Sequence, residues 1–153
     1  MKLNKVILAG VIAGVVSAGA FAQDEESVKV TASVAENCKI QSAEDINFGL
    51  LDPSQATDAQ AAGSVKFACT HSVDYTVNTD NGSHFDADEN SRRMKGGDDN
   101  YLPYKLADDS FSGEGRGFSN PISIRLDASL EGADYKDLPS ADYKDTLVVT
   151  ITP

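Results

Sequence analysis

The sequence predicts an all-β sandwich, and three observations lead there. Short segments with period-2 alternation recur along the chain. The spacers between them are rich in Gly, Asn and Asp. No window carries an apolar stripe at helical spacing. The chain has 153 residues, two Cys, no Trp and a formal net charge of −11, which is one domain's worth of chain. That charge argues against nucleic acid or an anionic membrane surface as a partner, since both require a basic face.

Residues 1–22 (MKLNKVILAGVIAGVVSAGAFA) are no part of the fold. Lys2 and Lys5 precede an uncharged run that ends in Ala20-Phe21-Ala22, and acidic residues follow. This is the pattern of a cleaved secretory signal, so the remaining chain is expected outside the cytoplasm, with no direct membrane insertion. Export gives Cys38 and Cys69 a meaning: an even count in an oxidising compartment predicts one disulfide. The closed loop of about 31 residues corresponds to about 3.5 kcal/mol in the chain-entropy model. The alternative, a metal site gathering Cys38, Cys69, His71 and His84, fits no zinc spacing, and no cofactor or metal is expected.

The elements follow in order. Residues 27–35 (SVKVTASVA) place Val28, Val30, Ala32 and Val34 on one strand face. Residues 46–50 form a weaker strand, and 55–62 (QATDAQAA) are expected as a loop. Residues 64–69 put Val65, Phe67 and Cys69 together, and 73–79 do so for Val73, Tyr75 and Val77, before an Asn81-Gly82 turn. Residues 101–106 (YLPYKL) are expected as an edge or bulged strand because of Pro103. Residues 122–128 turn Ile122, Ile124 and Leu126 inward, and 145–152 do the same with Leu147, Val149 and Ile151. The acidic, glycine-containing stretches 80–100 and 108–117 are expected as long loops. Val, Ile, Leu and Phe supply only about a fifth of residues 23–153, a thin core for a chain of this charge.

The final strand runs to Pro153, so the expectation is a sandwich that lacks the strand normally flanking it. An apolar strand with an open edge is an aggregation hazard. At the other end, residues 23–35 offer a polar tail and a free alternating strand. The pair suggests polymerisation by strand addition; the simpler reading of 27–35 is an ordinary first strand of its own domain.

Several landmarks stand in order along the chain: VKVTASV before Asn37-Cys38, INFG at 46–49, VKFACT at 65–70, LPYKL at 102–106 and DYKDTLVVTI at 142–151. In these the chain resembles the spore coat protein U domain, the subunit domain of archaic chaperone–usher pili. The resemblance implies an incomplete immunoglobulin-like sandwich at 36–153 completed by a donated strand, with 23–35 as the donor segment. It implies a periplasmic chaperone that lends a strand, and an outer-membrane usher that exchanges it for the extension of an identical or related subunit. Carried over residue by residue, Val28, Val30, Ala32 and Val34 are the donor residues, and Leu147, Val149 and Ile151 line the acceptor groove. The implied function is a surface pilus serving adhesion or biofilm formation.

Three other classes are weaker. A lectin-like module or minor adhesin would use Tyr101, Tyr104, Tyr135 and Tyr143 as stacking surfaces. A calcium site would draw on Asp86, Asp88, Glu89, Asp98 and Asp99, but the EF-hand pattern fails around Gly82. Catalysis has little to start from: there is no GxxxxGK[ST], HExxH, CxxC or GxSxG pattern, and His71 and His84 have no identifiable partners in the sequence.

Overall fold

A computed structural model describes residues 24–153; the expected signal, 1–22, lies outside the described residues. The chain divides after Ser33. Residues 24–33 belong to the first unit, and every one of them is exposed and outside any helix or strand.

The second unit, Val34–Pro153, holds eight strands: β1 (Cys38–Glu44), β2 (Ala59–Cys69), β3 (Asp74–Thr79), β4 (Arg92–Lys95), β5 (Tyr101–Leu106), β6 (Ser110–Glu114), β7 (Ile122–Leu130) and β8 (Val149–Thr152). A single helical turn, α1 (Gly132–Tyr135), follows β7. One sheet has the order β1-β2-β7-β5-β4, the other β6-β3-β8. All pairings are antiparallel, which produces an immunoglobulin-like sandwich.

The alternation read from the sequence is the alternation that buries the core. On β2 Val65, Phe67 and Cys69 are buried while Lys66 is exposed; on β3 Tyr75 and Val77 are buried; on β7 Leu126, Ala128 and Leu130 are buried. The Phe67 and Tyr75 rings meet edge-on at 5.0 Å between centroids, joining the two sheets in the geometry that aromatic quadrupoles favour. A first cluster gathers Val65, Phe67, Cys69, Tyr75, Val77 and Leu126, and a second collects Leu102, Tyr104, Leu130 and Tyr135.

Several expectations are corrected. No ladder includes residues 27–35; the first strand is β1, whose lone large apolar side chain, Ile40, is 42% exposed and so gives no inward period. The stretch 55–62 is not all loop, because β2 begins at Ala59 and pairs with β7 from Ala59↔Leu130 onward. Residues 46–50 form no strand, although Ile46 and Phe48 are half-buried against the two clusters. The long acidic loops hide β4 and β6, and the last strand is regular only over Val149–Thr152. Strand β5 is interior rather than an edge, yet it pairs with β7 only at Lys105 and Leu106. Pro103 therefore faces no β7 partner for the N–H it lacks.

Candidate strand-acceptor groove

Strand β1 pairs only with β2, and β8 only with β3, so each presents one free edge among the described residues. Register sets their directions. Cys38 opposes Cys69, the chain then turns through 70–73 into β3, and Thr152 opposes Thr76. Cys38 and Thr152 thus share one end of the sandwich, the disulfide end, while β1 and β8 run in opposite directions along facing edges. Between them the first cluster is covered only partly: Cys38, Ile46, Ile122, Ile124, Val149 and Ile151 are half-buried.

The β1 flank is fixed covalently and by its ladder. The Cys38–Cys69 disulfide is present, across directly opposed residues. A register shift between Ile40 and Ser42 marks a bulge, which bends the strand. Beyond β1 the chain passes very close to β2. A Cβ on Gly63 would stand 2.5 Å from the Glu44 carbonyl oxygen and 2.9 Å from Ile46 Cγ1, so only glycine admits the approach.

The other flank begins before β8. Leu147, Val149 and Ile151 are half-buried, and Val148, Thr150 and Thr152 alternate as exposed. The three sequence-predicted groove residues divide: Val149 and Ile151 pack on the first cluster, Leu147 on the second. At the Leu147 end lies a cleft of about 370 Å³ lined by Ile46, Phe48, Met94, Tyr104, Tyr143 and Leu147.

Sequence reasoning missed what holds this flank. The Asp145 carboxylate is 4% exposed. It accepts hydrogen bonds from the Tyr104 hydroxyl at 2.7 Å, from His84 Nδ1 at 3.0 Å and from the His84 backbone N–H at 3.2 Å. A carboxylate only accepts, so Nδ1 carries the imidazole proton. Burial, then the Asp145 bond and charge, push the Tyr104 hydroxyl pKa well above its ordinary value, so it stays a donor. Gly82, at φ +84°, lies against Asp145 Oδ2 where a side chain would collide. Asp80 completes the clasp: its N–H donates to the Val148 carbonyl at 3.0 Å, and its Oδ1 accepts from Val148 N–H at 2.9 Å. The partnerless histidine of the sequence reading, His84, is thus a groove-supporting residue; only the length of the intervening chain concealed its pairing with Asp145.

The four donor candidates are exposed. Val28 is 87%, Val30 93% and Val34 86% accessible, and Ala32 is likewise open. The tyrosines of the lectin reading do not make a stacking surface. Tyr104 and Tyr135 are buried, with their hydroxyls bonded to Asp145 and to the Thr57 carbonyl; Tyr101 lies under the Arg93 guanidinium at 4.2 Å, and the Tyr143 hydroxyl donates to the Pro139 carbonyl. In the acidic loop Asp86 is paired with Arg93 at 2.6 Å and accepts from the Asp88 and Glu89 N–H groups. No group of three or more potential metal ligands occurs among the described residues. No helix among them is long and apolar enough to cross a membrane. A shallow depression of about 400 Å³ over Gln60, Ala61, Ala62, Ala107 and Arg125 lies elsewhere, on β2, β7 and the residue after β5.

The fold and groove define an immunoglobulin-like sandwich with two facing unpaired edges over a half-covered core. The chain belongs to the Spore Coat Protein U domain family, whose model matches residues 24–150. Among solved structures it is similar to a chain of the CsuC–CsuE chaperone–tip adhesion subunit pre-assembly complex from the archaic chaperone–usher Csu pili of Acinetobacter baumannii. The TM-score is 0.51 at 22% identity, over 78% of this chain and 40% of that one. That likeness is one of fold, and this chain spans well under half the length of its counterpart. A search of curated proteins gives no match.

Proposed function

We propose that this chain is a structural subunit of a chaperone–usher pilus, exported through the periplasm and assembled on the cell surface by donor-strand complementation. The observation that carries the reading is a complementarity within one chain. An apolar core lies half-open between β1 and β8, and an alternating apolar segment, 28–34, is exposed and pairs with no strand among the described residues. A periplasmic chaperone would lend the missing strand, and an outer-membrane usher would exchange it for the segment of the next subunit. The finished polymer would serve adhesion or biofilm formation. The work is physical, since it requires only edge hydrogen bonds and burial.

The donated strand runs antiparallel to β8. Because β1 and β8 are opposed in direction, any inserted strand is antiparallel to one and parallel to the other, and the antiparallel ladder is the more stable per residue. The regular edge of β8 takes that ladder, whereas β1 carries a bulge. This direction also brings the acidic tail Asp24-Glu25-Glu26 to the end that holds Lys39 and Arg116. Fully burying each of three valines contributes about 1.5–3 kcal/mol, so release is slow once the groove has closed around them.

The test is unboiled SDS gel electrophoresis of protein made with its chaperone and usher, beside a variant lacking 23–35. The expected result is a ladder that collapses on boiling and is missing from the variant. A stable, soluble monomer from both would overturn the reading.

A further inference from the structure

Seven large apolar side chains are strongly exposed among the described residues: Val28, Val30, Val34, Ile40, Leu50, Phe118 and Val148. Three lie on the proposed donor segment, and Ile40 and Val148 lie on the two flanks of the groove. Strand donation leaves Leu50 and Phe118 without a role. They sit at opposite ends of the sandwich. Phe118 belongs to the loop after β6, where the Gly117 N–H donates to the Cys69 carbonyl, so it stands at the disulfide end. Leu50 follows Phe48, which lines the cleft at the clasp end, and a Gly49 N–H to Asn47 Oδ1 bond and a positive φ at Gly49 turn it outward.

The tether between donor and domain has almost no slack. Thr70 Oγ1 donates to the Ala35 carbonyl at 3.1 Å and accepts from the Asn37 N–H at 3.1 Å, and the Thr70 N–H donates to the Asn37 carbonyl at 2.9 Å. The chain is therefore fastened to the disulfide end of its own domain from Ala35 onward, one residue after Val34. One residue spans ~3.5 Å at most. A strand lying antiparallel to β8 of a neighbour has Val34 at that neighbour's clasp end, so the donor's own disulfide end must arrive there with it.

We infer that a second copy of this chain docks head to tail, its Phe118 loop against the Leu50 loop of the copy whose groove it fills. The contact rests on the strand-donation reading and adds a surface to it. Lone exposed apolar residues are ordinary on a protein surface; here the two are the ones that a taut connection brings face to face. The joint restricts bending between subunits, because a domain held at both its strand and its loop cannot pivot freely about Val34.

The test uses Leu50→Cys and Phe118→Cys, singly and together, in polymer treated with a short bismaleimide and then boiled. The expected result is a boiling-resistant ladder in the double variant and monomers in each single one. Monomers from the double variant, with its unboiled ladder intact, would overturn this contact and leave strand donation standing. Failure of the unmodified protein to form an unboiled ladder would overturn both. Should the new thiols disturb the native disulfide, Leu50→Asp and Phe118→Asp replace them: unboiled ladders persist and electron micrographs show more sharply bent filaments, whereas unchanged curvature refutes the contact.

Discussion

The two flanks of the groove are held by different physics. The β1 flank depends on a disulfide and a ladder to β2, with few buried side chains of its own. The flank leading into β8 depends on polar side-chain bonds, with the buried Asp145 carboxylate and the exposed Asp80 fastening 145–148 before the short β8 ladder begins. A covalent link holds β1 even while the groove is empty. A buried carboxylate with three donors holds direction and spacing, but it is costly to disturb, because the Tyr104 hydroxyl it abandons is buried. The two unpaired edges are thus each held in place by contacts within their own domain.

Substitutions on each flank, with one control away from both, separate the two. Cys38→Ser with Cys69→Ser should have the largest effect, about 2–5 kcal/mol lost, seen as a lower denaturation midpoint of the chaperone-bound subunit. Asp145→Ala comes next, at about 2–3 kcal/mol, because it strands the Tyr104 hydroxyl and the His84 donors; Asp145→Asn, which keeps acceptor geometry on one side, should recover part of that loss in the same melt. Val149→Ala and Ile151→Ala remove half-buried surface and should cost about 1–2 kcal/mol each. Their effect should be greater in strand-filled polymer, read as the temperature at which the unboiled ladder dissolves, than in the empty subunit. Lys105→Ala breaks the 2.6 Å pair with Glu131 between exposed side chains and should leave both measurements unchanged, as exposed pairs generally do.

The parts of the fold legible in the sequence are those whose side chains alternate over a buried face. The later half of β2, and β3, β5 and β7, were visible for that reason, as was the inward turn of Leu147, Val149 and Ile151, all half-buried. Strands β1, β4 and β6 were not. In β4 all four residues, Arg92-Arg93-Met94-Lys95, are half-buried, so no period appears. Edge strand β6 (SFSGE) buries only part of Phe111. Such strands exist because a neighbour offers hydrogen bonds, which a one-dimensional pattern does not record. The His84–Asp145 contact spans 61 residues and leaves no local mark at either position.

Residues 27–35 define the boundary most clearly. Their alternation marks one apolar face, exposed in this structure, and states nothing about what would cover it. By itself the sequence determined the sandwich class, the pairing of its two cysteines and which residues of the last strand turn inward, because composition and period-2 patterning are local properties. Only the tertiary structure decided that the first ladder begins at Cys38, that β1 and β8 face each other unpaired, and that Asp145 carries the clasp. Those outcomes depend on which distant backbone groups satisfy one another, and long-range pairing is settled in the folded chain.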